Sequence, residues 1–227
     1  MKKVLKPALM ATLPVLTGYL VLGFGFGIIM KANGFGTALT FAMSLLIYAG
    51  SMQYAAIGLF TGGASLPAVA LTTLMVNARH LFYGISMLEK YKHTGAGKPY
   101  LIFGLTDETY SLVCSDLPDI PEESRRDYYL LVTVLNHLYW VTGSVLGAVA
   151  GALLQFNSEG IDFALTALFL TVFTDQWLNA ESHTPALIGV GVSVGSLLLF
   201  GADSFLIPAM LVIGLLLCLY KEGGSND

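Results

Sequence analysis

The chain is a succession of long apolar stretches separated by short polar ones. The stretches cover residues 8–30, 37–60, 67–88, 100–117, 128–154, 163–177, 185–200 and 205–220. Crossing about 30 Å of hydrocarbon at 1.5 Å per residue takes about 20 residues, a length most of them reach or approach. Lipid offers the backbone no hydrogen-bond partner, so such segments are helices unless they close a barrel. Runs this uniformly apolar lack the period-two alternation of barrel strands. The pattern predicts an all-α polytopic membrane protein, a bundle of seven or eight transmembrane helices. The count stays between those numbers because 100–117 is short and carries Asp107 and Glu108 near its middle, which suits a broken or re-entrant helix.

Composition agrees with the pattern. Hydrophobic residues make up 55% of the 227 and charged ones 11%, against about 25% charged in soluble domains. Connections are short, the longest being 89–99 and 118–127, which leaves no space for a soluble domain; residues 1–227 read as a single transmembrane domain. Lys2, Lys3 and Lys6 ahead of an apolar run imitate a signal peptide. The run is longer than a signal core and more spans follow it without a clear cleavage site, so it is read as the first span. A net charge of -4 with no basic stripe argues against nucleic acid as a partner. Cys114 and Cys218 form no disulfide framework or metal-ligand spacing, and no zinc or nucleophile-elbow motif occurs. No metal, cofactor or catalytic residue is expected.

Loop charges leave the orientation open. With eight crossings and a cytoplasmic N-terminus, Lys2, Lys3, Lys6, Arg125, Arg126 and Lys221 lie inside, and Lys31, Lys90, Lys92 and Lys98 outside, a weak bias. If 100–117 does not cross, both long connections share a side and the charge rule prefers the opposite placement of the N-terminus. An internal duplication is also suggested. Phe41-Ala42-Met43-Ser44, Gln53-Tyr54 and Leu66-Pro67-Ala68 recur as Phe163-Ala164-Leu165-Thr166, Gln176-Trp177 and Thr184-Pro185-Ala186. Repeats of this kind often enclose a midplane site.

Polar and ionisable residues inside spans are costly and usually face the interior or a water-filled path. Arg79 lies mid-span in Asn77-Ala78-Arg79-His80, with Tyr83 beyond, too deep to snorkel. A buried partner is expected, and Asp107 or Glu108 in Thr106-Asp107-Glu108-Thr109-Tyr110 supplies one. Such a pair is either a clamp between helices or part of a substrate and proton path. Gly50-Ser51-Met52-Gln53-Tyr54 pairs a helix-weakening glycine with hydrogen-bonding side chains, consistent with close packing or with a helix break whose free N–H groups suit a carboxylate. Gly23, Gly25 and Gly27 permit the same device. Gly143, Gly147 and Gly151 form a G-x-x-x-G-x-x-x-G face for packing against a helix or a partner. His137, beside Asn136, titrates in a range useful for relaying protons, though flanking Tyr139 and Trp140 also suit an interfacial hydrogen-bonding role. Asp175-Gln176 is a further polar pair, while His93 and His183 lie in connections.

The runs Gly50-Ser51-Met52-Gln53-Tyr54, Asn77-Ala78-Arg79-His80-Leu81-Phe82-Tyr83-Gly84, Thr106-Asp107-Glu108-Thr109-Tyr110 and Asp162-Phe163-Ala164-Leu165 resemble, in this order, those of the AzlC family, over nearly the whole chain. N-A-R-H-x-x-Y-G and T-D-E-x-Y are the specific elements. One departure is that Phe173-Thr174-Asp175-Gln176-Trp177 turns polar where the family's sixth span stays apolar. The resemblance implies the large subunit of a branched-chain amino acid exporter in the bacterial cytoplasmic (inner) membrane. Such a subunit works with a small AzlD-type membrane protein and, by the usual family view, with protons. An amino acid needs partners for a carboxylate, an ammonium and an apolar side chain. On this expectation the substrate-binding set is Gly50, Ser51, Gln53, Tyr54, Asn77, Arg79 and Tyr110. The proton-coupling or ion-pair set is Arg79, His80, Asp107, Glu108 and His137. A channel-like or assembly subunit, or a lipid-modifying enzyme, are the other classes weighed.

Overall fold

The computed structural model describes residues 2–114, 117, 120–153, 170, 173–174, 177–178, 180, 182–201 and 205–220. Every regular element among them is helical. The helices are α1 (Lys2–Ala32), α2 (Thr37–Leu46), α3 (Gly50–Thr61), α4 (Leu66–Val76), α5 (Arg79–Ser86), α6 (Lys98–Phe103), α7 (Asp107–Val113), α8 (Glu122–Leu153), α9 (Thr184–Phe200) and α10 (Leu206–Leu219). They form two compact units. The first is built on α1 and α8 with α2, α3, α5, α6 and α7, and the second on α4, α9 and α10. Two helices, Val4–Ala32 and Glu122–Leu153, are long and apolar enough to cross a membrane. Asp162 to Thr166, Asp175 and Gln176 lie outside the described residues, so the suggested repeat is represented only by Leu66-Pro67 and Thr184-Pro185, each opening a helix. Proline suits that position because the first helical N–H groups have no intrahelical partner.

The first unit is organised around a parallel pair. Gly23 and Gly27 of α1 face Gly143, Ser144 and Gly147 of α8, and Gly151 lies against Lys31. A Cβ on Gly143 would stand 2.8 Å from the Tyr19 carbonyl, and one on Gly147 would stand 2.7 Å from the Phe24 carbonyl carbon. The two backbones therefore approach at a distance that glycine permits and alanine does not. α1 is one continuous helix through Gly23, Gly25 and Gly27. The freedom anticipated there for a helix break is used instead for this close approach.

Each of the stretches 37–60 and 98–113 is a hairpin. α2 descends from Gly36 beside the end of α1, placing the Ser44 carbonyl on His137 at 3.3 Å. The chain turns at 47–49, and α3 climbs back past Leu22 and Phe26 until Phe60 packs on Phe35, 6.1 Å between ring centres. α6 rises from Gly97, which lies against Leu130, to Phe103 beside His137; α7 then returns until Lys90 Nζ donates to the Cys114 carbonyl. The hairpins enter from opposite ends and their tips meet at Tyr48 and Phe103, 6.2 Å apart, both against His137. A polar residue in each tip explains the fold-back. Thr106 caps α7, accepting from the Thr109 N–H, while Ser44 and Gln53 bond across the first hairpin at 3.3 Å. Tyr48 holds a left-handed φ of 46° at the turn, a conformation costing a bulky residue about 1–3 kcal/mol.

The core mixes apolar side chains with polar ones, and large apolar side chains cover the outside. Thr12, Thr40, Ser44, Gln53, Thr109, Thr133, Asn136 and Ser144 are fully buried, while Leu5, Leu13, Val21, Leu138, Leu146 and Leu153 are exposed. Exposed leucines and valines around a core that also buries hydroxyls and amides suit apolar surroundings.

Candidate functional site

Three helices of the first unit begin at one place. The breaks at 47–49, 77–78 and 104–106 start α3 at Gly50, α5 at Arg79 and α7 at Asp107. Arg79 joins them, its Nη2 lying 2.9 Å from Asp107 Oδ2 and donating to Ser51 Oγ at 3.2 Å. The pair is not closed off: the two side chains are 37% and 41% exposed, so something can reach them. Arg79 Nε and Asp107 Oδ1 have no hydrogen-bond partner although each atom is itself out of contact with solvent. One donor and one acceptor are thus left unused in the same charged cluster.

Aromatic rings wall the cluster. Tyr83 stacks on Tyr110 with ring centres 4.3 Å apart and planes at 12°. The Tyr110 hydroxyl meets Ser86 Oγ at 3.0 Å. His80 sits edge-on to Tyr83, with Nδ1 3.1 Å from the carbonyl of Asn77. Asn77 itself lies in the 77–78 break, so its backbone rather than a continuing helix is on display. Glu108 accepts from the Tyr19 hydroxyl at 2.5 Å.

The remaining anticipated residues are placed differently. Gln53 is fully buried, accepting from Trp140 Nε1 at 2.9 Å and donating to Ser44. Tyr54 donates to the Leu22 carbonyl at 2.5 Å. Both spend their polar groups holding the first hairpin against α1 and α8. Gly50 lies against the Trp140 ring, where an added Cβ would stand 3.1 Å away. His137 forms no ion pair among the described residues. Its Nε2 donates to the Ser44 carbonyl, which fixes Nδ1 as the acceptor of the Tyr100 hydroxyl at 3.0 Å. Tyr48 stacks on its ring at 4.2 Å. A ring nitrogen bonded to a backbone carbonyl has no onward proton acceptor, so this geometry pins the hairpin tip rather than extending a relay. Trp140→Phe removes the Gln53 partner and leaves a buried amide oxygen bare. It should cost about 1–3 kcal/mol, read as a lower melting temperature in detergent with the helical signal unchanged.

Sequence reasoning did not single out Tyr19, Ser44, Tyr48, Thr109 or Trp140. A weak signal existed: each is a hydrogen-bonding residue in an apolar stretch. Nothing local, however, distinguishes a tyrosine that meets a carboxylate from one that merely packs.

The fold and the site define a helical membrane protein with a charged, aromatic-walled cluster at the meeting point of broken helices. The chain belongs to the AzlC protein family, which matches residues 14–154, the span that contains the whole cluster. It is 46% identical over 212 residues to the branched-chain amino acid transport protein AzlC of Bacillus subtilis (strain 168), covering 92% of this chain and 83% of that one. An uncharacterized membrane protein of Haemophilus influenzae is 43% identical, with 91% and 84% covered. The inner membrane protein YgaZ of Escherichia coli is 27% identical, with 90% and 83% covered. No solved structure matches.

Proposed function

We propose that the protein is a secondary transporter subunit that exports branched-chain amino acids, leucine, isoleucine and valine, with methionine as a further candidate. Protons are exchanged in the opposite direction, and a small AzlD-type membrane protein is the partner. The observation carrying this reading is the pair of unused atoms, Arg79 Nε and Asp107 Oδ1, beside the N-terminus of α3. A zwitterion supplies what they lack. Its carboxylate takes the Arg79 N–H, Ser51 and the free N–H groups of α3, where the helix dipole favours an anion. Its ammonium takes the free oxygen of Asp107, and its apolar side chain lies along Tyr83 and Tyr110. The partly exposed pair is therefore a receptor rather than a closed clamp. Two hairpins entering from opposite ends and touching at their tips are natural gates for alternating access. Two acidic neighbours at the site, Asp107 and Glu108, give the coupled proton a place to bind.

The same geometry supports a multi-pass placement in the bacterial inner membrane with the N-terminus inside. Because 37–60 returns to the end it left, the 89–99 connection lies at the same end as the N-terminus and as 118–127. Val4, Ala8, Tyr91, Val113, Ile120 and Tyr128 pack there in one cluster. Lys2, Lys3, Lys6, Lys90, Lys92, Lys98, Arg125 and Arg126 then share one side against Lys31 on the other. That is the bias the positive-inside rule requires, and residues 1–227 act as one transport domain.

The test is leucine movement in proteoliposomes holding the full chain with the small partner. Saturable exchange is expected, and Ser51→Ala should raise the half-saturating concentration about tenfold with little change in maximal rate, the loss of one hydrogen bond to a charged group. Leucine flux that does not saturate would indicate a channel and end the reading.

A further inference from the structure

Resting on the transport reading above, we infer that Glu108, and not Asp107, carries the coupled proton, and that Tyr19 is the positioning residue that passes its protonation state to the cap of α7. The two carboxylates are adjacent in sequence but have opposite surroundings. Asp107 has a guanidinium at 2.9 Å, so a proton arriving there would have to displace a fixed cation. The nearest partner of Glu108 is a hydroxyl, which can donate or accept.

The groups facing Glu108 come from every neighbouring element. α1 contributes Tyr19, the first hairpin tip contributes the Tyr48 phenol, and α5 contributes Tyr83; Asp107 stands beside it in α7. Asp107 is paired with Arg79, which also holds Ser51, and the others are phenols. Beyond Tyr19 the contacts continue inward. The Tyr19 hydroxyl is 2.8 Å from Thr106 Oγ1, which is 3.1 Å from Thr109 Oγ1, which accepts from Asn136 Nδ2 at 3.1 Å. All four of these residues are buried.

This chain has two directions. With Glu108 ionised, the Tyr19 proton points to the carboxylate, and the phenol oxygen accepts from Thr106. With Glu108 protonated, the carboxyl O–H donates to Tyr19, Tyr19 turns its proton to Thr106, and the Thr106 proton is freed for Thr109. The added proton stays on Glu108, and no other bond to hydrogen is broken. Thr106 is also the cap of α7, accepting from the Thr109 N–H at 3.3 Å. A proton on Glu108 therefore changes the hydrogen bonding of the residue that ends the 104–106 break. That ties the proton to the hairpin tip, while Arg79 and Asp107 tie the substrate to its outer face.

The experiment compares two readouts in the same proteoliposomes: leucine exchange at equal pH, and net leucine movement driven by a pH gradient. Glu108→Gln should keep exchange and lose gradient-driven movement by roughly tenfold or more, whereas Asp107→Asn should lose both, because only the latter is placed on the substrate. Tyr19→Phe should keep exchange and move the pH at which driven transport is half-maximal; Glu108→Asp replaces Glu108→Gln if the latter does not fold. Wild-type protein that shows no leucine exchange would overturn the transport reading itself. Active wild type with Glu108→Gln still driven by the gradient, or with exchange lost equally in Glu108→Gln and Asp107→Asn, would overturn only the proton assignment. A Tyr19→Phe protein in which exchange and driven transport fall in proportion would show Tyr19 to be structural and overturn its positioning role.

Discussion

Arg79→Met should reduce leucine transport by about a hundredfold or more, since it removes charge-assisted bonds worth about 1.5–3 kcal/mol each at a point where α3, α5 and α7 all begin. Arg79 holds Ser51 at 3.2 Å and Asp107 at 2.9 Å and keeps Nε free. Methionine fills a similar volume but offers neither the fork nor the charge. Arg79→Lys tests the fork alone: an ammonium is a point charge on a flexible stem and does not reach both protein partners and a carboxylate in fixed geometry. It should fall between wild type and Arg79→Met. The exchanged pair, Arg79→Asp with Asp107→Arg, separates receptor from clamp. If the pair only ties α5 to α7, reversing both charges restores melting temperature and transport together. If it receives a zwitterion, the reversed pair restores melting temperature and leaves leucine binding lost, because the cation no longer stands beside the α3 N-terminus. Near-normal leucine exchange in Arg79→Met would remove the site from the transport path.

The membrane character and the need for an acidic partner to Arg79 were legible in the sequence, because both rest on energies that act locally. A mid-span arginine demands a partner wherever it is, and the acidic pair in the T-D-E-x-Y element was the available candidate; the ion pair joins Arg79 to the first of the two, Asp107. The path of the chain was less legible. Hydropathy registers that 37–60 is apolar, not that it turns round at Tyr48, since a 24-residue stretch satisfies the length criterion whether it crosses or folds back. Counting that stretch as a crossing put the 89–99 connection opposite the N-terminus and left only a weak bias in the basic residues. The fold-back gathers them at one end. Gln53 and Tyr54 show a related limit. A polar side chain in an apolar stretch signals that a hydrogen bond exists, but whether the partner is a ligand, Trp140 or the Leu22 carbonyl depends on which helices meet. The glycines were misjudged in one helix for the same reason: G-x-G-x-G weakens a helix in isolation, and here Gly23 and Gly27 are held helical by the face of α8.

That glycine seam carries the second large effect. Gly147→Val should leave little folded protein in the membrane, and Gly147→Ala should be intermediate. At Gly147 even the first added carbon would stand 2.7 Å from the Phe24 carbonyl carbon and 2.8 Å from its Cα. These are backbone atoms that no rotamer change can move aside. Relief requires α1 and α8 to separate along their length. Separation would also pull Tyr19 from Trp140, whose rings meet at 5.4 Å, and Tyr19 from Glu108. Overpacking of a tight contact costs about 1–3 kcal/mol and more where backbone must shift, a large share of the 5–15 kcal/mol that holds a typical domain. Gly18→Ala is the matched control, on the same helix pair but with nothing within 4 Å of the added carbon. Its lower intrinsic cost in a helix should make it neutral or slightly stabilising. Size-exclusion profiles and melting curves in detergent check both. Equal recovery of Gly147→Val and Gly18→Ala would mean that the close parallel packing of α1 on α8 does not hold the first unit together. Because the Tyr19 hydroxyl reaches Glu108 only while that seam is closed, Gly147→Ala should also reduce gradient-driven transport more than leucine exchange.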